Sequence, residues 1–215
     1  MSDEALVDTD VLLKTISYRL ANATLTHLSA AGLRPKVLGA ARYMLASHIG
    51  KARRIVDGAA AAEELALIAP LLEDVEPTAG ETALAAELEV VARTADLAID
   101  GGESQLLAIL ILRAAPLMLT GDKRAIRAIG RMVTPVPPHR IACLEQLLGS
   151  LADSLGPETV RSAVCAEPLV DKSLLSACGC ASPAGTDPRP GLESYVEDLR
   201  KQAPAALCEG RCLPV

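Results

Sequence analysis

Two short apolar runs, each followed by an aspartate, constrain the fold of this chain most. Ala5-Leu6-Val7 precedes Asp8-Thr9-Asp10, and Leu117-Met118-Leu119-Thr120 precedes Gly121-Asp122. Both runs have the length of buried strands, and helical apolar spacing dominates the sequence between them. Buried strands that alternate with helices predict a parallel sheet with helices on both faces. We therefore expect an α/β fold of three layers, α/β/α, with a short parallel sheet.

The helices are predicted from apolar spacing and from start and stop signals. Pro35 can open a helix at its first turn, and Thr78-Ala-Gly-Glu81 has the pattern of a capping box. A weak strand is expected over residues 73–77. Helices are expected over residues 11–20, 35–49, 59–72, from 79 to about 99, 103–115 and 123–132.

A proline-rich segment indicates a boundary after the second strand. Thr134-Pro-Val-Pro-Pro138 separates residues 1–134, the expected α/β domain, from a helical extension over residues 135–181. In that extension we expect helices over residues 141–155 and 158–166. Residues 182–215 are predicted as a linker and a cysteine-containing tail with a last helix near residues 192–202.

The carboxylates at the strand ends are the candidate functional groups. Asp8 and Asp10 end one strand, Asp122 ends the other, and Glu103 opens the apolar helix that leads into the second strand. Taken singly, each acid suits a helix N-cap. If the two strands are parallel neighbours, however, the four carboxylates converge at one edge of the sheet, where ligands bind. Crowded carboxylates repel one another, and a hard cation such as Mg²⁺ or Mn²⁺ relieves that repulsion.

Three motifs, in order, resemble those of the PIN-like nuclease family over about residues 5–132. Leu6-Val7-Asp8-Thr9-Asp10-Val11-Leu12-Leu13 resembles the opening motif of that family. Gly102-Glu103-Ser104-Gln105-Leu106-Leu107-Ala108 resembles its Gly-Glu motif, and Leu119-Thr120-Gly121-Asp122-Lys123-Arg124-Ala125 resembles its Thr-x-Asp segment.

The resemblance implies a ribonuclease dependent on Mg²⁺ or Mn²⁺. Asp8, Glu103 and Asp122 would be the catalytic metal ligands, Asp10 a further ligand or orienting group, and Thr120 an accessory hydroxyl. The family usually has one more acid on a helix after the first crossover, for which Glu64 or Glu63 is the candidate here. Many members are toxins of toxin–antitoxin pairs, so the resemblance implies an antitoxin-like partner or a homodimer.

Contacts with RNA would have to be electrostatic. The chain has no Trp, no Phe and three Tyr, so the aromatic platforms that stack on bases are nearly absent, and the net charge is −6. Two basic runs without acids, over residues 34–54 and 123–131, are candidate phosphate-facing surfaces. Solvated helix faces are the alternative for both runs. The residues selected as phosphate contacts are Arg42, Arg53, Lys123 and Arg124.

Two other functions remain open at this point. A catalytically inactive PIN-like domain that binds or organises a partner would suit the missing acid motif and the negative charge. A phosphohydrolase would suit Asp8-Thr9-Asp10, since one class of phosphatases uses an Asp-x-Asp motif after a strand. That class also needs a downstream lysine, for which Lys123 is the candidate.

The tail cysteines give one further metal hypothesis. Cys178, Cys180, Cys208 and Cys212 form two close pairs that could hold a structural Zn²⁺, with free thiols as the alternative. Cys143 and Cys165 fall within predicted helices and are expected in the core. The first residues lack the features of a signal peptide, and no apolar stretch is long enough for a bilayer. We therefore expect a cytoplasmic protein, no contact with a membrane, and no structural disulfides.

Overall fold

A five-stranded parallel sheet organises the chain in a computed structural model that describes residues 3–51, 54–132 and 136–213. The strands are β1 (Glu4–Val7), β2 (Arg34–Leu38), β3 (Glu73–Val75), β4 (Leu117–Thr120) and β5 (Ile141–Cys143). Their order is β3-β2-β1-β4-β5, and all four neighbouring pairs run parallel. The expected α/β class is confirmed, and the two strands with following aspartates, β1 and β4, are direct neighbours.

The helices of the described residues fall into two groups along the chain. Those up to the fourth strand are α1 (Thr9–Ser17), α2 (Ala21–Ala30), α3 (Ala41–Lys51), α4 (Gly58–Ile68), α5 (Ala79–Thr94) and α6 (Gly101–Arg113). Those after it are α7 (Lys123–Arg131), α8 (Leu144–Leu155), α9 (Pro157–Cys165), α10 (Lys172–Ala177) and α11 (Arg189–Gln202).

Alternate residues of each strand enter different cores, as the two-residue period of a strand requires. Val7 and Leu119 pack with the helices on one face, which include α1 to α4, α8 and α9. Leu6 and Met118 pack on the other face with α5, α6 and α7. Because both faces are covered, β4 is buried at every position, and three apolar residues in a row precede the buried Thr120. The arrangement is consistent with the expected three layers.

Two strands were predicted as helix, and these predictions were wrong. Pro35 does not open a helix, since Arg34–Leu38 forms β2 and the helix begins at Ala41. Residues Ile141–Cys143 form β5, and the helix predicted from residue 141 begins at Leu144. Cys143 is buried as expected, but in a strand. Apolar periodicity does not separate strands this short from the start of a buried helix.

The segment predicted as a helical extension belongs to the sheet and to its core. β5 pairs with β4, and Leu147, Leu148 and Leu151 of α8 lie in the same core as α1. The tail is attached as well, because Leu207 forms a parallel bridge with Ile141 and Cys208 N donates to Ile141 O at 2.7 Å. The boundary proposed at Thr134 itself lies outside the described residues.

Candidate functional site

The candidate site is a cleft of about 760 Å³ at the carboxyl ends of β1 and β4. The chain extends the sheet from β1 to β2 and β3 on one side and resumes with β4 and β5 on the other. In parallel sheets a crevice opens at such a reversal of strand order, and ligands bind there. Six carboxylates from four parts of the chain line the cleft, namely Asp8, Asp10, Asp100, Glu103, Asp122 and Asp171.

Asp8 lies at the end of β1 and is held by the neighbouring strand. Its backbone N donates to Leu119 O at 2.9 Å, and Thr120 Oγ1 donates to Asp8 Oδ2 at 3.1 Å. Burial and then the charge of Asp10 raise the pKa of Asp8 to about 6, although the Thr120 hydrogen bond acts in the opposite direction. Thr120 also accepts a hydrogen bond from Asp122 N at 3.2 Å, so its hydroxyl connects the two strand-end acids.

Glu103 is buried at the start of α6, in the capping box that its spacing from Asp100 predicts. Its backbone N donates to Asp100 Oδ1 at 2.8 Å, and its Oε2 accepts from Asp100 N at 2.9 Å. Burial is the main reason that its pKa rises to about 8, and the charges of Asp100, Asp122 and Asp8 add to the effect. At neutral pH Glu103 therefore holds a proton in the cleft.

Asp122 caps α7 and pairs with a cation. Its Oδ1 accepts from Arg124 N at 2.7 Å, and Arg124 Nη2 lies 2.7 Å from its Oδ2. Burial acts to raise the pKa of Asp122, but the bonds with Arg124 outweigh it and the pKa lies below the usual value. Asp122 is therefore ionised in the range where Glu103 is protonated.

Asp10 is paired in the same way by Lys14, one helical turn along α1. Lys14 Nζ lies 2.7 Å from Asp10 Oδ2 and 2.8 Å from Asp171 Oδ2. The Asp10–Lys14 spacing of four residues could have been found from the sequence, since such pairs face each other on a helix. Asp171 and Ser173, which also line the cleft, lie more than 160 residues after Asp10 in the chain, and no sequence signal connects them to it.

Glu64, the accessory acid expected on a helix after the first crossover, does not line the cleft. Its Oε1 accepts a hydrogen bond from Asn22 N at 2.8 Å, and the neighbouring Glu63 is exposed on α4. One wall of the cleft comes from α3, which contributes Met44 and His48 to the lining. This wall therefore contributes a thioether and an imidazole in place of a carboxylate.

The basic residues expected to contact phosphate are mostly engaged within the protein. Arg42 Nε donates to Asp74 Oδ1 at 2.7 Å and Nη1 to Ala69 O at 2.9 Å, away from the cleft. Lys123 lines the cleft, but its Nζ lies 2.6 Å from the buried Glu145. Arg124 is at the cleft and mostly exposed, in its pair with Asp122. Arg53 lies outside the described residues.

The donor chemistry of the cleft fits a hard divalent cation, since its acids are oxygen donors and two of them have raised pKa values. The positions of the side chains do not yet form a coordination sphere. Within residues 3–51, 54–132 and 136–213, no group of three or more His, Cys, Asp or Glu side chains stands in metal-binding geometry. Binding of a cation would require Asp122 to exchange Arg124 for the metal.

The cysteine predictions are corrected by one disulfide. Cys165 and Cys180 form a disulfide between α9 and the turn after α10, so neither the expected absence of structural disulfides nor a zinc site that uses Cys180 holds. Cys178 and Cys208 are buried free thiols, and Cys208 Sγ donates to His139 O at 3.2 Å. Cys212 is a partly exposed thiol beside Asp153. Cys165 was expected in the core, but it is only half-buried.

In the described part of the chain, none of the helices combines the length and the apolar character needed to cross a bilayer. Comparison with protein-family models, curated proteins and solved structures gave no match to this chain. The resemblance to PIN-like nucleases therefore depends on the three motifs alone, and the function must be argued from the cleft.

Proposed function

We propose that this protein is a PIN-like endonuclease that hydrolyses phosphodiester bonds of RNA with a bound Mg²⁺ or Mn²⁺. The observation that carries the proposal is the meeting of Asp8, Glu103 and Asp122 in one cleft at the reversal of strand order. The three acids come from the three motifs that resemble the family. Asp8 and Asp122 meet because they follow two neighbouring parallel strands, and the start of α6 brings Glu103 to the same edge of the sheet.

Asp8, Asp10 and Asp122 would hold the cation, and their combined negative charge would attract it. When bound, such an ion lowers the pKa of a water and stabilises negative charge on the phosphate oxygens. Asp8, with a pKa of about 6, is ionised at neutral pH and can accept a proton from a water. The hydrogen bond from the Thr120 hydroxyl orients the carboxylate of Asp8. Glu103, with a pKa of about 8, holds a proton that it can donate to the leaving oxygen.

Arg124 would take two positions in this scheme. Paired with Asp122, it balances the negative charge while no cation is bound. Since its guanidinium is largely exposed at the cleft, it can turn to a phosphate of the substrate when a cation replaces it. Of the described residues proposed as phosphate contacts, Arg124 is the best placed, because Arg42 and Lys123 are engaged elsewhere.

A protein partner and a cytoplasmic location remain part of this proposal. An antitoxin-like protein or a second copy of the chain could bind the start of α3, where Met44 lines the cleft and is 47% exposed and the adjacent Tyr43 is 83% exposed. A partner seated on these residues would cover the α3 wall.

The first test is cleavage of labelled RNA by the purified protein with Mn²⁺, with Mg²⁺ and with EDTA. Asp8→Asn removes a charge from the cleft, so we expect activity to fall by about 100-fold or more. Asp57→Asn is the matched control, since Asp57 caps α4 outside the cleft. Metal-independent cleavage, or equal activity in Asp8→Asn and the wild type, would reject the assigned site.

A phosphomonoesterase is the second candidate, because Lys123, the lysine expected for it, lines the cleft, and Lys14 lies there beside Asp10. Parallel assays with p-nitrophenyl phosphate and bis-p-nitrophenyl phosphate separate the two activities. Preference for the diester supports the nuclease, and preference for the monoester supports the phosphatase. A folded protein that turns over neither compound nor RNA would instead support the inactive binding domain, for which the paired state of Asp10 and Asp122 is the argument.

A further inference from the structure

The N-terminal turn of α10 is joined to both sides of the cleft by two lysines. Lys14, from α1, reaches Asp171 Oδ2 at 2.8 Å, and Lys123, from α7, donates to Ser173 Oγ at 2.8 Å. Each lysine also has a second partner, since Lys14 pairs with Asp10 of its own helix and Lys123 pairs with Glu145 of α8. The lysines flank two of the proposed metal ligands, Asp10 and Asp122. The polar contacts at the start of α10 are therefore continuous with those of the residues that line the cleft.

The two oxygens of Asp171 have different partners. Oδ1 caps α10, because it accepts from Ser173 N at 2.8 Å, from Leu174 N at 3.1 Å and from Ser173 Oγ at 2.6 Å. Oδ2 is left for Lys14. The capping bonds fix the orientation of the carboxylate, so the side chain presents a negative charge to Lys14 from a rigid helix end. An asparagine at this position could still cap the helix but could not supply the charge.

Lys14 is thereby held at one point between two carboxylates. Its side chain is 13% exposed and that of Asp171 12% exposed, so water screens the pair only partly. If Asp171 were neutral, Asp10 would be the remaining anionic partner of Lys14, and its negative charge would be neutralised more fully. The cleft would also lose one negative charge, and both changes weaken its attraction for a cation.

The position of Asp10 is restricted on its other side by the turn between β4 and α7. A Cβ atom at Gly121 would lie 2.3 Å from Asp10 Oδ2 and 3.3 Å from Lys14 Nζ. The Asp10–Lys14 pair therefore packs directly on the backbone next to Asp122. The position of the pair is therefore coupled to the backbone that leads into Asp122.

We propose that Asp171 is a positioning residue of the cleft, which acts through Lys14 to hold Asp10 where a divalent cation is bound. The proposal rests on the proposed function for its purpose and on these contacts for its geometry. It makes the C-terminal third of the chain part of the site, although the three sequence motifs end near residue 132.

The test is the affinity of the full-length protein for Mn²⁺ alone, measured by the electron paramagnetic resonance signal of the free ion. We expect Asp171→Asn to weaken Mn²⁺ binding by about tenfold, as the loss of a group that orients a ligand does. Cleavage of RNA by this variant should recover at saturating Mn²⁺. The variant should therefore need more Mn²⁺ than the wild type but reach the same maximal rate. Asp57→Asn, at another helix N-cap outside the cleft, should bind Mn²⁺ as the wild type does.

A double-mutant cycle identifies the route through Lys14. If Asp171 acts through Lys14, the Asp171→Asn change should have little further effect in a Lys14→Gln background. Unaltered Mn²⁺ affinity in Asp171→Asn would overturn the proposal and leave the nuclease function intact. Equal effects of Asp171→Asn with and without Lys14 would also overturn it.

Mn²⁺ binding and RNA cleavage by the wild-type protein distinguish a failure of this proposal from a failure of the proposed nuclease function. Binding of Mn²⁺ without cleavage of RNA would reject the nuclease, while the affinities of the variants still decide the role of Asp171. A wild-type protein that binds no Mn²⁺ would overturn both.

Discussion

At the scale of single residues, burial and ion pairs give the acids of the cleft different protonation states. Glu103 and Asp8 have raised pKa values of about 8 and about 6, whereas pairing with Lys14 outweighs burial at Asp171 and lowers its pKa to about 2. Acids whose environments separate their pKa values in this way are typical of sites that transfer protons. The structural reason is that burial dominates at Glu103, whereas the carboxylate of Asp171 lies 2.8 Å from the Lys14 ammonium.

Glu103 gives the folded chain a dependence on pH whose sign follows from its pKa. The value rises from a usual 4.5 to about 8 on folding, so the folded state binds the proton more tightly than the unfolded state. Below pH 4.5 the carboxyl is protonated in both states and contributes nothing. As the pH rises from there through 8, the free energy of unfolding decreases, and the full loss is reached above pH 8.

Glu103→Gln should therefore raise the free energy of unfolding of the metal-free protein, relative to the wild type, by more at pH 9 than at pH 5. We expect about 1–3 kcal/mol, less than the full shift implies, because the carboxyl lines an open cleft. The measurement is urea unfolding in EDTA at both values of pH, with Glu63→Gln on the exposed face of α4 as the control. A Glu103→Gln effect of the same size at both values would show that the shift is absent.

At the scale of elements, close backbone contact fixes the helices that complete the cleft. Gly191 in α11 lies against the last residue of α10, and a Cβ atom there would be 1.9 Å from Ala177 O. Gly130 in α7 makes a similar approach, since its Cβ would be 2.6 Å from Ala203 Cβ. Glycine at these two positions lets α10 and α7 pack on the segment of α11, and α10 carries Asp171.

Gly191→Ala should destabilise the fold, because its contact is with a backbone carbonyl that cannot rotate away. We expect a loss of about 1–3 kcal/mol in the free energy of unfolding. Gly50→Ala in α3 is the matched control, since nothing lies within 4 Å of a Cβ there. It should leave stability unchanged or raise it by up to about 1 kcal/mol. The measurement is the melting temperature of both variants. A Gly191→Ala variant that melts no lower than Gly50→Ala would contradict this packing argument.

The elements also show where the sequence was informative. β1 and β4 were predictable because each is an apolar run followed by polar helix-start residues. The capping boxes of α5 and α6 were predictable because they are local hydrogen-bond patterns, and both are present. β2 and β5 were missed, since a strand of three to five residues beside a helix has too few residues for a two-residue period to be distinguished.

At the scale of the whole molecule, the C-terminal segment cannot be separated from the sheet. β5 covers the edge of β4, and α8 fills the core on the face that contains α1. The segment also contributes Asp171 and Ser173 to the cleft. The cleft is therefore formed by the first 134 residues together with the C-terminal segment.

A chain that ends at residue 134 should fail to fold. It would expose β4 at an open edge and lose the leucines of α8, and each fully buried leucine contributes roughly 1.5–3 kcal/mol. The measurement is thermal unfolding followed by circular dichroism, with the full-length protein as the reference. Cooperative melting of residues 1–134 would show that they form an independent domain.

That the four carboxylates meet depended on β1 and β4 being neighbours, which the tertiary structure shows. The sequence by itself determined the fold class and the places of the four acids at strand ends and at a helix start. These follow from local signals, because the period of apolar residues and the caps of helices depend on residues a few positions apart. Only the tertiary structure decided which cation pairs with each acid, that Glu64 and Arg42 lie away from the cleft, and that Cys165 joins Cys180. Those outcomes depend on contacts between residues distant in the chain. Burial and pairing set the charge of each group there, and neither is determined by its neighbours in sequence.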